Sequence, residues 1–158
     1  MLIKKILIGI DNSTFSEHAA KYGFSIAKSF NAKVGLVHIV EPTFMPPTAG
    51  MDPLSGPMTG AIGDAEIINV QNDMSETLLE KTEKKFGKGL QVTHFNEFGD
   101  TADGIINCSI DFGADLIIIG THSRSGIDRL LMGSIAEHVV RHSEIPVLVV
   151  PMKEADGQ

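Results

Sequence analysis

Asp115-Leu116-Ile117-Ile118-Ile119-Gly120-Thr121-His122-Ser123-Arg124-Ser125-Gly126, followed after six more residues by Gly133-Ser134, is the stretch that decides the fold. Its first part is a continuous apolar run, the mark of a parallel strand covered on both faces. Gly120 ends that strand where a ligand can approach the backbone. Gly133-Ser134 then opens a helix, presenting N–H groups and a hydroxyl at the positive end of the helix dipole. A strand, a glycine-containing turn and a helix start in this order read as a phosphate-holding device.

The same grammar extends outward in both directions. Ile6-Leu7-Ile8-Gly9-Ile10 is a second continuous apolar run, ended by Asp11. Thr14-Phe15-Ser16-Glu17 has capping-box spacing, and the helix it opens sets Ala20, Phe24 and Ala27 on one stripe, with Ala19 and Gly23 beside it, before Phe30-Asn31 closes it. Strands are expected over residues 33–40, 90–95, 116–119 and 147–150. Helices are expected over 64–86, with Ile68, Met74, Leu78 and Leu79 among the apolar positions, over 101–112 and over 134–142. Five strands alternating with four helices predict an α/β fold, a doubly wound parallel sheet with right-handed crossovers and helices on both faces. Residues 1–152 read as one domain. Residues 41–63, rich in proline, glycine and methionine, read as a long loop at the carboxyl end of the second strand, and 153–158 as a polar tail.

Composition narrows the function. With 13 Lys+Arg against 20 Asp+Glu the formal charge is −7, which disfavours nucleic acid as a partner. Cys108 is the single cysteine, and the segment leading into the first strand is too short for a signal peptide or a membrane span, so a cytoplasmic location with no membrane partner is expected.

Asp11, Ile39-Val40 and Gly120 fall at carboxyl ends of strands and therefore face one edge of the sheet, where such folds bind ligands. There Asp11 can accept from ribose hydroxyls or an adenine amine, the Ile39 backbone can read an adenine edge, and residues 120–134 can hold phosphates, with Arg124 and Arg129 supplying positive charge. The competing reading makes Gly120 and Gly126 turn residues only, and Asp11 a helix-start residue. The strict dinucleotide and Walker patterns are absent.

At these residues the chain resembles the universal stress protein family, whose nucleotide-binding members carry G-x-x-G, nine residues, then G-(S/T). The likeness runs through Lys4-Lys5-Ile6-Leu7-Ile8-Gly9-Ile10-Asp11, Leu36-Val37-His38-Ile39-Val40, Gly120 to Gly126, Leu130-Leu131-Met132-Gly133-Ser134-Ile135-Ala136-Glu137 and Pro146-Val147-Leu148-Val149-Val150. It implies strand order 3-2-1-4-5, a Rossmann-like sheet akin to the adenine nucleotide alpha hydrolases, and ATP or AMP in the crevice where the strand order reverses. By resemblance Gly9 and Asp11 border ribose and base, Ile39 the adenine, and Ile119-Gly120 the ribose, while Ser123, Gly133, Ser134 and Ile135 surround the phosphates. Ile10, Val40 and Arg124 join the candidate site by their positions, and His122 either contacts the ligand or caps the turn. Ser123 stands where the motif has its second glycine. Mg²⁺ would arrive with the nucleotide, since this ion is usually held through waters and substrate oxygens.

No nucleophile, base and orienter set accompanies these residues. The expectation is a nucleotide-dependent signalling or protective module and not an enzyme, with no catalytic residues. The alternatives are a slow ATPase in the same crevice, or the same fold and dimer without nucleotide. Ser134-Ile135-Ala136-Glu137 also has capping-box spacing. His138 and His142 read as a solvated pair with no metal, and Cys108 as core. Val147 to Val150 is a charge-free edge strand of the kind that is paired or covered, and the resemblance implies a homodimer through it, with a further protein partner unidentified.

Overall fold

The computed structural model describes residues 2–42, 64–121 and 132–152. In chain order the elements are β1 (Lys5–Gly9), α1 (Thr14–Phe30), β2 (Lys33–Val40), α2 (Asp64–Phe86), β3 (Val92–Phe98), α3 (Thr101–Phe112), β4 (Leu116–Gly120), α4 (Ser134–His142) and β5 (Val147–Val150). The strands form one parallel sheet of order β3-β2-β1-β4-β5, as expected. Order reverses at β1, so the carboxyl ends of β1 and β4 part and leave a crevice between them.

Alternation along the strands divides the core in two. Ile6, Ile8, Leu36 and Ile118 pack beneath α1 and α2 with Phe24 and Leu79. Leu7, Val37, Ile117 and Ile119 pack on the other face against Ile105 and Cys108 of α3 and Ala136 and Val139 of α4. These runs are apolar at every position because both faces are covered. The predicted α1 stripe of Ala19, Ala20, Gly23, Phe24 and Ala27 is buried, and burying Phe24 alone contributes about 1.5–3 kcal/mol.

Three local expectations are corrected. The α1 cap is Ser13, not Thr14: its hydroxyl accepts from the Ser16 N–H at 3.1 Å, while Ser16 Oγ accepts from the Asp11 N–H at 2.7 Å and ties the same turn to the end of β1. In α2, Ile68 and Met74 are 49% and 61% exposed. The inner face of that helix carries Leu79 and a polar residue, Ser75, at 1% exposure. Ser75 Oγ donates to Asn96 Oδ1 at 2.6 Å, and Asn96 Nδ2 donates to Asn72 Oδ1 at 2.7 Å. The single hydroxyl proton is thereby used, so the 2.6 Å contact between Ser75 Oγ and His38 Nδ1 has the imidazole N–H as donor. That chain also explains β3, which starts two residues later than expected and runs to Phe98. Asn96 interrupts the apolar pattern but is hydrogen-bonded within the fold, and pairing with β2 continues to Val40↔Phe98. Upstream, Leu90 is held in a turn by its N–H to Gly87 C=O, 3.0 Å.

Candidate functional site at the carboxyl edge

The site is built from what the strands do as they end. The last paired residues of β1 and β2 are Gly9↔Val37, and Ile10 N–H still donates to Val37 C=O at 2.9 Å. At Asp11 the chain leaves the sheet. Its Oδ1 accepts from Ser13 N–H at 2.8 Å, a side-chain turn that fixes the carboxylate at the mouth of the crevice. No other hydrogen bond to this carboxylate is made among the described residues.

β2 runs on past that point, and its main-chain parity decides what it offers. Lys33 N–H donates to Lys4 C=O and Val37 C=O accepts from Ile10, whereas Val34 N–H donates to Gln91 C=O and Val40 C=O accepts from Gly99 N–H at 3.0 Å. Odd residues of β2 therefore turn their polar groups toward β1 and even residues toward β3. Ile39 is odd and lies two residues beyond the last β1 pair. Its N–H and C=O consequently point into the crevice while its side chain, 6% exposed, packs in the core. Val40 differs, since its carbonyl is committed to Gly99.

Gly120 closes the opposite wall. A Cβ there would stand 3.0 Å from the Phe15 carbonyl oxygen and 3.4 Å from the Ser16 nitrogen, so the missing side chain lets the first turn of α1 lie across the end of β4. This is a helix-packing reason for the glycine that the strand-end position alone did not disclose. Gly9 likewise admits the side chains of Ile119 and Ile105, which a Cβ would meet at 3.0 and 3.2 Å.

After β4 the chain returns to the same edge at Gly133, whose N–H donates to Thr121 C=O at 2.6 Å. Gly133 is the N-cap of α4 and makes no side-chain cap bond. The capping box expected to start at Ser134 therefore does not form, Ser134 being the first helical position. One of the two main-chain amides expected to be open is also committed, that of Gly133, leaving the amides of Ser134, Ile135 and Ala136 without intrahelical acceptors. Ser134 itself is exposed. His122, Ser123 and Arg124 lie outside the described residues, as do all of the 41–63 loop except Glu41 and Pro42 and all of the 153–158 tail.

The other residues singled out in the sequence stand apart from this edge. His138 Nε2 lies 3.0 Å from Asp103 Oδ1, and His142 Nδ1 lies 2.9 Å from the His138 carbonyl. The pair thus belongs to the α3–α4 contact. Among the described residues no three His, Cys, Asp or Glu side chains converge as a metal site. Cys108 is buried, and burial first, then the charges of Glu97 and Asp111, push its thiol up to about 11. It is a protonated core residue at neutral pH.

Known proteins carry the same plan. Solved structures superpose on it closely: MJ0577 of Methanocaldococcus jannaschii has TM-score 0.78 at 25% identity, covering 98% of this chain and 100% of its own. A universal stress protein in complex with cAMP has TM-score 0.66 at 21% identity, covering 96% and 98%. Among sequences, universal stress protein MJ0531 of the same archaeon is 34% identical over 157 residues, covering 97% of this chain and 86% of its own length. The family model described as the universal stress protein family matches residues 2–151, and with it the chain belongs to that family.

Proposed function

We propose that this protein binds an adenine nucleotide, ATP or AMP, in the crevice between the carboxyl ends of β1 and β4 and acts as a dimeric signalling or protective module of the cytoplasm, with residues 1–152 as its one domain. The observation that carries the reading is the main-chain pair of Ile39, a donor and an acceptor turned into the crevice beyond the end of the β1 ladder. Adenine offers the complementary pair on one edge, ring N1 as acceptor and the 6-amino group as donor. Guanine presents that edge with donor and acceptor exchanged. Asp11, fixed by Ser13, is the acceptor for ribose hydroxyls. Ser134 and Ile135, in the first turn of α4, are the phosphate donors, joined by His122, Ser123 and Arg124. Gly9, Ile10, Val40, Ile119, Gly120 and Gly133 shape the walls. Mg²⁺ comes with the phosphates. The complex of a family fold with cAMP supports the choice of ligand class.

The dimer is proposed through β5. Ile117 N–H donates to Pro146 C=O, so even residues of β5 bond to β4, and the main-chain groups of Val147 and Val149 face outward, open to a second copy of the strand across a two-fold axis. Leu148 and Val140, 37% and 44% exposed, flank that edge.

Isothermal titration of ATP, AMP and GTP into nucleotide-stripped protein with Mg²⁺, followed by analysis of the nucleotide for turnover, tests the reading. Saturable, adenine-selective binding without multiple turnovers is expected. Absence of binding, or equal binding of GTP, overturns it.

A further inference from the structure

The sheet separates charge along its strands. Around the carboxyl edge stand the carboxylates of Asp11, Glu41, Glu97, Asp100 and Asp103. At the amino edge, where strands begin and α1 and α2 end, stand the exposed lysines Lys4, Lys28, Lys33, Lys84 and Lys88. Lysines in the last turn of a helix answer its dipole, which accounts for Lys28 and Lys84. It does not account for Lys4 and Lys33, whose main chains are joined by the 2.8 Å bond from Lys33 N–H to Lys4 C=O while Lys33 stands level with Lys5 and so opens on the face opposite Lys4, or for Lys88 in the turn before β3. Lys5 and Lys85 are excluded from this group, since Lys5 Nζ donates to Phe112 C=O and Lys85 pairs with Glu17. Of the acids at this edge, Asp115 accepts the main-chain N–H of both Lys4 and Lys5 at 2.8 and 2.9 Å, Glu83 in the last turn of α2 pairs with His94, Asp111 stands in the last turn of α3, next to the Phe112 carbonyl that holds Lys5, and Glu144 precedes β5.

Large apolar side chains stand among these lysines. Phe30, the last residue of α1, is 52% exposed, and Leu2 is 69% exposed. A phenylalanine left in water between Lys28 and Lys33 is unusual for a helix whose inner stripe is otherwise fully buried.

We propose that this amino-edge pole is a docking surface for an anionic lipid bilayer, with Phe30 and Leu2 entering the headgroup boundary and the lysines resting on acidic headgroups. The absence of a membrane partner expected from the sequence rested on spanning segments, and surface contact needs none. A bilayer suits this molecule better than a nucleic acid. A flat surface meets one pole and leaves the acidic edge in water, and Leu2, an exposed aliphatic side chain at the same pole, enters lipid but gives a nucleic-acid base no π-face to stack on. The proposal does not depend on nucleotide binding, though docking in this pose would leave the crevice facing away from the lipid.

The test is co-sedimentation of the full chain with vesicles of phosphatidylcholine alone and of phosphatidylcholine with about a third phosphatidylserine, at low and high salt. Partitioning is expected only to the anionic vesicles and to weaken with salt. Lys28→Glu with Lys33→Glu should lower it by about tenfold or more, and Phe30→Ser should lower it with both lysines present. Lys21→Glu, at an exposed lysine midway along α1, should leave it unchanged. Thermal melting by circular dichroism checks that each variant is folded. Equal partitioning to neutral vesicles, or an equal loss with Lys21→Glu, overturns the proposal. So does binding to anionic vesicles that Phe30→Ser leaves intact, which would mark the pole as a general polyanion surface.

Discussion

Gly120 separates two readings of one residue. If the glycine serves only to admit a ligand, Gly120→Ala lowers nucleotide affinity and leaves the free protein as stable as before. The packing predicts otherwise. The added Cβ lies 3.0 Å from the Phe15 carbonyl oxygen, 3.1 Å from the Phe15 carbonyl carbon and 3.4 Å from the Ser16 nitrogen, all of them backbone atoms. Backbone cannot step aside as a rotamer does, and this turn is further tied by Ser13 Oγ to Ser16 N–H and by Ser16 Oγ to Asp11 N–H. On its other side β4 is paired to β5 at Gly120↔Val150. Relief requires α1 to lift by a few tenths of an ångström from a close-packed sheet, and overpacking of this kind costs about 1–3 kcal/mol. At about 2–4 °C per kcal/mol for a domain of this size, Gly120→Ala lowers the melting temperature of nucleotide-free protein by about 2–12 °C. Differential scanning calorimetry of the stripped variant reads this directly. A melting temperature within about 1 °C of the parent would refute the packing account and return the glycine to the ligand.

Leu148→Lys places a charge on the exposed side of the proposed β5 contact; the dimer dissociation constant measured by sedimentation should rise by about tenfold or more while the monomer stays folded. Val149 is a poorer probe, since its side chain packs into the core beneath α4. Ser75→Ala removes the hydroxyl that Asn96 Oδ1 accepts from and that contacts His38 Nδ1, and should destabilise by about 1–3 kcal/mol in urea unfolding. The raised Cys108 pKa means that folding favours the neutral thiol. Its contribution to stability is therefore complete below the ordinary thiol range of about 8.5 and is lost as pH climbs toward about 11, so Cys108→Ala should flatten this part of the stability profile. A thiol reagent at neutral pH should react with Cys108 only after unfolding.

Periodicity made most of this architecture legible. Runs such as Leu116-Ile117-Ile118-Ile119 have no solvent face and so can only be central parallel strands, and the α1 stripe follows from helical spacing and small residues. The errors have a common physical source. Periodicity assumes that buried positions are apolar, and Ser75 breaks that assumption by entering a hydrogen-bonded chain with the half-buried Asn96 and Asn72. Hence Met74 was expected in the core, and β3 was expected to end before its polar residues. The α1 cap slipped by one residue because Ser13 and Thr14 are both competent N-caps and only the folded turn chooses between them. At the site, strand-end position brought Asp11, Ile39 and Gly120 to one edge, but two facts needed coordinates. One is the parity that opens the Ile39 main chain and closes that of Val40. The other is the engagement of Gly133 N–H by Thr121.

These two facts bear on what kind of work the crevice does. Among the described residues its polar groups are mostly main chain: the N–H and C=O of Ile39 and the first-turn amides of α4. The one carboxylate, Asp11, already accepts a hydrogen bond from Ser13. Main-chain groups recognise by position and do not take up or release protons, and a carboxylate anchored in a turn is a fixed acceptor. Such a set, as far as the described residues go, is suited to holding a ligand by position. The elements that carry these groups also continue directly into other surfaces. Asp11 opens α1, which runs down to Phe30 at the amino edge, and Ser134 opens α4, which hands the chain to β5 at the sheet edge. A ligand that grips the starts of both helices therefore acts on the two elements leading to the proposed lipid-facing pole and the proposed subunit edge, the connectivity a binding module needs in order to be read by its partners.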